Sequence, residues 1–315
     1  MFDAGKLKRW RWDHDLTSNT PICEELATQL GVHPLVALLL HRRGLADIGG
    51  ARSFLGPKLT DLHDPVLLPG VPRAAERLAR AVADHQRIVI YGDYDVDGIA
   101  ASALLWHTLK LAGANVSSYV PHRIDEGYGL NSQAIRQLGS EGNPLIISVD
   151  CGITAIEPAE VAKQMGIDLI ITDHHEFSDD RLPKAHTLVH PRLSHPGPEP
   201  EETYPFGMLC GTGVAFKLAW QFAKVHCGSQ RLPQAFRDLL VDLLSLVALA
   251  TVADVMPLVD ENRVFTAFGL GHIKQTRFVG LNALIDATRL RDEHIDAYHV
   301  GFVLGPRLNA CGRMG

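Results

Sequence analysis

No stretch of this sequence stays apolar for the roughly 20 residues that a bilayer crossing needs. Its start, Met1 to Trp10, also lacks the apolar core of a secretory leader. These two absences predict a cytoplasmic protein with no membrane partner. Cysteine is scarce and odd in number: five residues at 23, 151, 210, 227 and 311, scattered and mostly among apolar neighbours. They read as reduced core thiols, not as a disulfide framework, and no pair has zinc-ligand spacing. Basic charge is not in excess either. A formal net charge of −6 excludes a general basic coat for nucleic acid, while leaving room for a local basic groove. No Gly-x-Ser-x-Gly motif, phosphate-loop lysine motif or dinucleotide-type Gly-x-Gly-x-x-Gly is evident.

What is present starts from an ordinary globular composition, 46% hydrophobic and 21% charged over 315 residues, enough for one large or two ordinary domains. The chain is organised around Arg87 to Ile99. Ile88–Tyr91 is a short apolar run of the buried-strand type, and Ile99–Leu111 is helix-like. Between them stand Asp93, Asp95 and Asp97, each separated by one residue. Carboxylates this close repel one another unless cations lie between them, and hard divalent cations prefer oxygen ligands. The cluster therefore reads as a Mg²⁺ or Mn²⁺ site. An EF-hand also opens Asp-x-Asp-x-Asp-Gly, but its twelfth position needs Glu and here is Leu104, and a strand stands where a helix should precede the loop. Helix capping would account for one aspartate, not three.

From residue 88 strands and helices alternate. Strands are expected at Ile88–Tyr91, Val116–Val120, Leu145–Val149, Leu169–Thr172 and Thr187–His190. Helices are expected at Ile99–Leu111, Asn131–Leu138 and Ala155–Met165, with Asn131 as an N-cap. This rhythm predicts an α/β fold, a mostly parallel sheet with helices on both faces, whose ligands bind at the carboxyl ends of the strands. Asp150 ends one such strand and Asp173-His174-His175 ends another, so three neighbouring strands deliver ligand-type residues to one edge. Adjacent histidines point in different directions, so one can ligate metal while the other faces substrate. Asp254 closes the apolar run that starts at Leu243, and a charge there seldom lacks a partner. Before the sheet, Cys23–Leu30, Pro34–Leu40 and Ile48–Leu55 read as short helices, 56–71 as a loop, and Ala74–Asp84 as an amphipathic helix. After it, 192–207 reads as a surface loop, and Gly211–Val225 and Ala235–Ala253 as helices. Lys6 to Trp12 interleaves cations with indoles, a pattern that can touch nucleic acid. The organisation expected is an N-terminal helical region at 1–72, a catalytic domain at 73–260 and a helical continuation at 261–315.

Gly92-Asp-Tyr-Asp-Val-Asp-Gly98, Ser148-Val-Asp-Cys-Gly152 and Asp173-His-His-Glu176 resemble the signature motifs of the DHH phosphoesterases. More closely, the chain resembles the RecJ family of single-strand-specific exonucleases within that superfamily. Further matches are Arg123-Ile-Asp-Glu-Gly-Tyr-Gly129, Gly211-Thr-Gly-Val-Ala-Phe216, Thr251-Val-Ala-Asp-Val255 and Gly305-Pro-Arg-Leu-Asn-Ala-Cys-Gly-Arg313. The resemblance implies a two-metal, 5′-to-3′ exonuclease acting on single-stranded DNA in repair and recombination. It implies two Mn²⁺ or Mg²⁺ ions on Asp95, Asp97, Asp150, His174 and Asp254, with Asp150 as the bridge. Asp93 and His175 belong to the same motifs as catalytic candidates, and Arg123, Arg307, Asn309 and Arg313 as substrate-binding candidates. Single-stranded DNA is the implied partner, with a single-strand-binding protein and a helicase as further candidates. The alternatives in the same superfamily are a phosphodiesterase for short oligonucleotides or cyclic dinucleotides, and a non-catalytic replication scaffold. Such scaffolds lose metal ligands, and this chain retains them. His190 stands where the family usually has Asn, Ala250 where Gly is usual and Cys311 where Ala is usual. The family continues into a DHH-associated domain and an OB-fold, so the expectation is that this chain is the N-terminal catalytic part.

Overall fold

The structure is a computed structural model and describes residues 21–122, 126–194 and 204–311. Arg123, Arg313, the Lys6–Trp12 segment and most of 192–207 lie outside the described residues. The chain divides into two units, residues 1–58 and 59–315. In the first, three short helices, α1 (Pro21–Leu30), α2 (Pro34–Arg42) and α3 (Ile48–Leu55), close over Leu26, Ala37, Leu40 and Ala51. Asp47 caps α3, its carboxylate accepting the Gly50 N–H at 2.7 Å.

In the second unit, 3-10 turns at Leu59–Asp61 and Pro65–Leu67 lead into α4 (Val71–Ala83), which starts three residues earlier than the amphipathic pattern implied. Its sheet has five parallel strands: β1 (Ile88–Tyr91), β2 (Val116–Tyr119), β3 (Leu145–Val149), β4 (Leu169–Thr172) and β5 (Thr187–Val189), in the order β2-β1-β3-β4-β5. Apolar runs with no polar alternation require cover on both faces, and the strands divide their side chains accordingly. Ile88, Ile90, Leu145, Ile147, Val149 and Ile170 point into one core. Val89, Tyr91, Ile146, Leu169 and Ile171 point into the other. The first core is closed by α4, α5 (Val96–Leu111), α8 (Gly211–Cys227) and α9 (Gln234–Ala253). The second is closed by α6 (Ser132–Ser140) and α7 (Ile156–Gln164). Asn131 caps α6, accepting the Ala134 N–H at 2.7 Å.

Behind α9 lie α10 (Asp260–His272), α11 (Val279–Ala287) and one turn of α12 (Ala297–His299). A π-helical turn at Val300–Leu304 then leads into α13 (Gly305–Cys311). A fully buried ion pair, Lys217 with Glu261, joins α8 to α10. The Lys217 ammonium also donates to the His63 carbonyl at 2.6 Å, and the Tyr204 hydroxyl donates to Glu261. Among the described residues no single helix is long and apolar enough to cross a membrane. In a doubly wound sheet of this order, β1 and β3 are the strands where the winding reverses, and the crevice beyond their carboxyl ends is the natural ligand position.

Candidate metal centre

Beyond β1 the chain turns straight into α5, and the turn carries all three aspartates. Asp95 is the N-cap of α5, its carboxylate accepting the Gly98 N–H at 3.0 Å. The helix therefore begins at Val96 and not at Ile99, because the cap falls inside the aspartate run. Asp93 is buried and accepts the Tyr94 N–H at 2.7 Å. Its backbone lies so close to Gly98 that a Cβ there would come within 2.5 Å of the Asp93 Cβ. Asp97, in the first turn of α5, reaches across to the N-terminus of α8. It accepts the Gly211 N–H at 2.6 Å, the Thr212 N–H at 2.7 Å and the Thr212 hydroxyl at 2.6 Å. Two helix-terminal donors and the positive end of the helix dipole hold this carboxylate as they would hold any bound anion.

Asp150 follows β3 in the left-handed region, φ 58°. Its Oδ1 is buried without a hydrogen-bond partner, 3.1 Å from His174 Nε2. Gly211 lies against it: a Cβ at that position would stand 2.6 Å from the same oxygen. His174 Nε2 also lies 3.6 Å from Asp97 Oδ2 and 3.7 Å from Asp254 Oδ2. Asp254 arrives from the opposite layer as the C-cap of α9. Three groups of candidate ligand atoms, each within 4.8 Å of one another, thus share members: Asp93–Asp95–Asp150, Asp97–His174–Asp254 and Asp150–His174–His175. A cleft of about 20 Å³, room for one small ion or water, is lined by Asp95, Asp97, Asp254 and Asn309.

The electrostatics follow from crowding acidic groups in a dry place. Burial, then the repulsion of Asp97 and Asp95, holds the Asp150 carboxyl well above the usual range. Burial raises Asp93 to about 6. Burial, with Asp97 and Asp95, raises Asp254 to about 7. His174 is pushed down by burial despite the pull of Asp97, which favours the neutral imidazole that ligates metals. Asp173 turns its carboxylate inward. Hydrogen bonds from His175 and from the Ile153 N–H outweigh the burial that would raise it and hold it low. In return it accepts from His175 Nδ1 at 2.7 Å and raises that imidazole. His190, buried and lowered to about 4, lies with Nε2 2.9 Å from the His175 carbonyl and Nδ1 3.0 Å from the Arg192 nitrogen. In the neutral tautomer with the proton on Nε2 it donates to the carbonyl and accepts the Arg192 N–H, one donor and one acceptor, as a carboxamide would offer.

The site therefore brings together Asp93, Asp95, Asp97, Asp150, His174, His175 and Asp254. Asn309 occupies a different kind of place: its Oδ1 accepts the Val96 N–H at 2.9 Å and ties α13 to the start of α5. Arg307 is exposed on α13, and its guanidinium donates to the Val303 carbonyl at 2.7 Å. Sequence reasoning did not assign roles to Asp173, Gly211, Thr212, Tyr128 or His190. Asp173 carried a signal, since a carboxylate two residues before His175 is within reach of its ring. Gly211 and Thr212 open the Gly211–Phe216 motif, but nothing in that motif marked their contact with Asp97. Tyr128 brings its hydroxyl to 3.5 Å from His175 Nε2.

A family model described as the DHH family, N-terminal domain, matches residues 87–251. The chain is 41% identical over 306 residues to the single-stranded-DNA-specific exonuclease RecJ of Bacillus subtilis (strain 168), covering 97% of this chain and 36% of that protein. It is 38% identical over 260 residues to the protein of the same name from Dickeya dadantii (strain 3937), covering 81% and 44%. The crystal structure of RecJ in complex with Mn²⁺ from Thermus thermophilus superposes with a TM-score of 0.73 at 30% identity, covering 93% of this chain and 39% of that one. The chain thus spans less than half the length of these curated relatives.

Proposed function

The chain belongs to the DHH family, and from that premise we propose that it is the catalytic part of a two-metal exonuclease that removes nucleotides from single-stranded DNA, working 5′ to 3′. Asp150 carries the proposal. It is a buried carboxylate with an oxygen that no protein donor satisfies, placed where three strand ends converge. Buried polar atoms are paired, so such an oxygen fits a cation. Asp93 and Asp95 with Asp150 would hold one ion, and Asp97, His174 and Asp254 the other, with Asp150 shared between them. The donor set, carboxylates with one or two imidazoles and no thiolate, suits Mn²⁺ or Mg²⁺. Such a pair supplies an activated water and neutralises charge on a phosphate.

The rest is done by the chain's own groups. Asp173 fixes the His175 ring through Nδ1 and keeps it more basic, so Nε2 is placed to hydrogen-bond a phosphate oxygen or hand a proton to the departing one. Asp97, braced on α8, and Asp150, wedged against Gly211, cannot swing away from the cluster. Arg123, Arg307 and Arg313 are the proposed phosphate contacts, through the bidentate geometry of guanidinium. Asn309 is proposed beside them from the lining of the cleft. The setting proposed is cytoplasmic, with a single-strand-binding protein and a helicase as partners. The test uses a short single strand carrying a 5′ label, because a net charge of −6 gives little hold on a long one. The labelled mononucleotide should appear first with Mn²⁺ and not at all with chelator. Asp150→Ala should abolish turnover with its circular dichroism unchanged. Near-normal turnover by that variant in Mn²⁺ would sink the shared-ligand assignment.

A further inference from the structure

We infer that Val255 is a substrate-contacting residue, its isopropyl group forming an apolar rest for the sugar and base of the nucleotide whose phosphate the cluster holds. The inference rests on the nuclease reading above and concerns a residue that reading does not use. The α9 helix ends at Asp254 in a paired hydrogen-bond motif: the Val255 N–H donates to the Val252 carbonyl at 3.2 Å and the Met256 N–H to the Thr251 carbonyl at 3.1 Å. That closure requires the left-handed region at Val255, and φ there is 57°. Glycine reaches this conformation freely, whereas a β-branched side chain is the least suited to it. Among the described residues the other left-handed helix closures follow the rule. Gly44, Gly113, Gly166 and Gly228 close their helices at positive φ. His85 and Arg289 do so with unbranched side chains.

Among the described residues nothing packs on Val255 to offset the strain. Val255 is 87% exposed, the most exposed of the large hydrophobic residues among those described. It also directly follows Asp254, whose Oδ2 lies 3.7 Å from His174 Nε2, so its backbone is one residue's step, about 3.8 Å between Cα atoms, from a member of the cluster. Strained residues that persist at a site do so for what they present there. Asp150, which is left-handed within the cluster, presents its carboxylate. Val255 presents only an apolar branch, and a sugar edge or base face is the apolar part of a nucleotide.

The test compares the 315-residue chain with its Val255→Gly and Val255→Thr variants, measuring Tm, Mn²⁺ affinity by calorimetric titration, and kcat/KM on a 5′-phosphorylated deoxytrinucleotide. Val255→Gly should raise Tm by about 2 °C, leave Mn²⁺ affinity unchanged and lower kcat/KM at least fivefold, mainly through KM. Val255→Thr keeps the branch and its strain but exchanges a methyl for a hydroxyl, so kcat/KM should fall with no gain in Tm. An active wild-type chain with Val255→Gly within twofold of it in kcat/KM would overturn the inference. So would a loss of Mn²⁺ affinity in Val255→Gly, which would show that the residue only shapes the turn holding Asp254. A wild-type chain that cleaves no oligonucleotide would overturn the nuclease reading itself, and the inference with it.

Discussion

Asp93 is a carboxylate whose charge the fold resists: buried, and raised to about 6. A carboxyl held above its ordinary value is penalised in the folded state only when ionised. The penalty is absent below the ordinary value and complete once pH passes the raised one. The metal-free protein should therefore lose stability as pH rises from about 4 to about 7. Asp93→Asn should remove part of that loss, with a gain on the order of 2 kcal/mol at about pH 8 and none at about pH 4. Urea unfolding in chelator at both pH values checks it, and equal gains at both would mean the effect is not ionisation. The same aspartates were legible from spacing alone, because three carboxylates in alternate positions have few other uses. Their separate jobs were not. Asp95 caps and Asp97 braces, and both depend on what the backbone does around them.

At the scale of elements, the site depends on the N-terminus of α8 lying against Asp97 and Asp150. Gly211→Ala would thrust a methyl to 2.6 Å from Asp150 Oδ1 and force the helix or the carboxylate to move. We expect a loss of about 1–3 kcal/mol of stability and at least a tenfold weaker Mn²⁺ affinity, readable by thermal melts with and without the ion. The α8–α10 joint gives a second prediction. Lys217→Met would strand the Glu261 carboxylate in a fully buried position and should cost about 3–5 kcal/mol. Pairing it with Glu261→Leu should recover much of that, measured by denaturant unfolding of both variants. None of this was legible in the sequence. Gly211 and Asp97 lie 114 residues apart, and nothing local marks a lysine inside an apolar helix as paired.

On the whole-molecule scale, the parallel sheet and its two covered faces were readable, because both-face burial removes polar alternation and leaves apolar runs. The strand order was not, since it is set by how helices pack across the sheet. That order makes the centre composite. Asp93 to His174 lie at the carboxyl edge of the sheet, whereas Asp254 comes from the far end of the helical layer. This division has a consequence in time. A chain emerging from the ribosome completes its strands long before α9, so the ligands at the sheet's edge are in place before Asp254 can join them. The complete site exists only after the last helices dock. Cation binding should then favour the finished protein without hastening its formation, as interactions absent from the folding transition state do. In stopped-flow experiments Mn²⁺ should slow unfolding at least tenfold and leave the refolding rate within twofold. A refolding rate that climbed with Mn²⁺ would mean that the ligands assemble early and that the ion guides the chain to its fold.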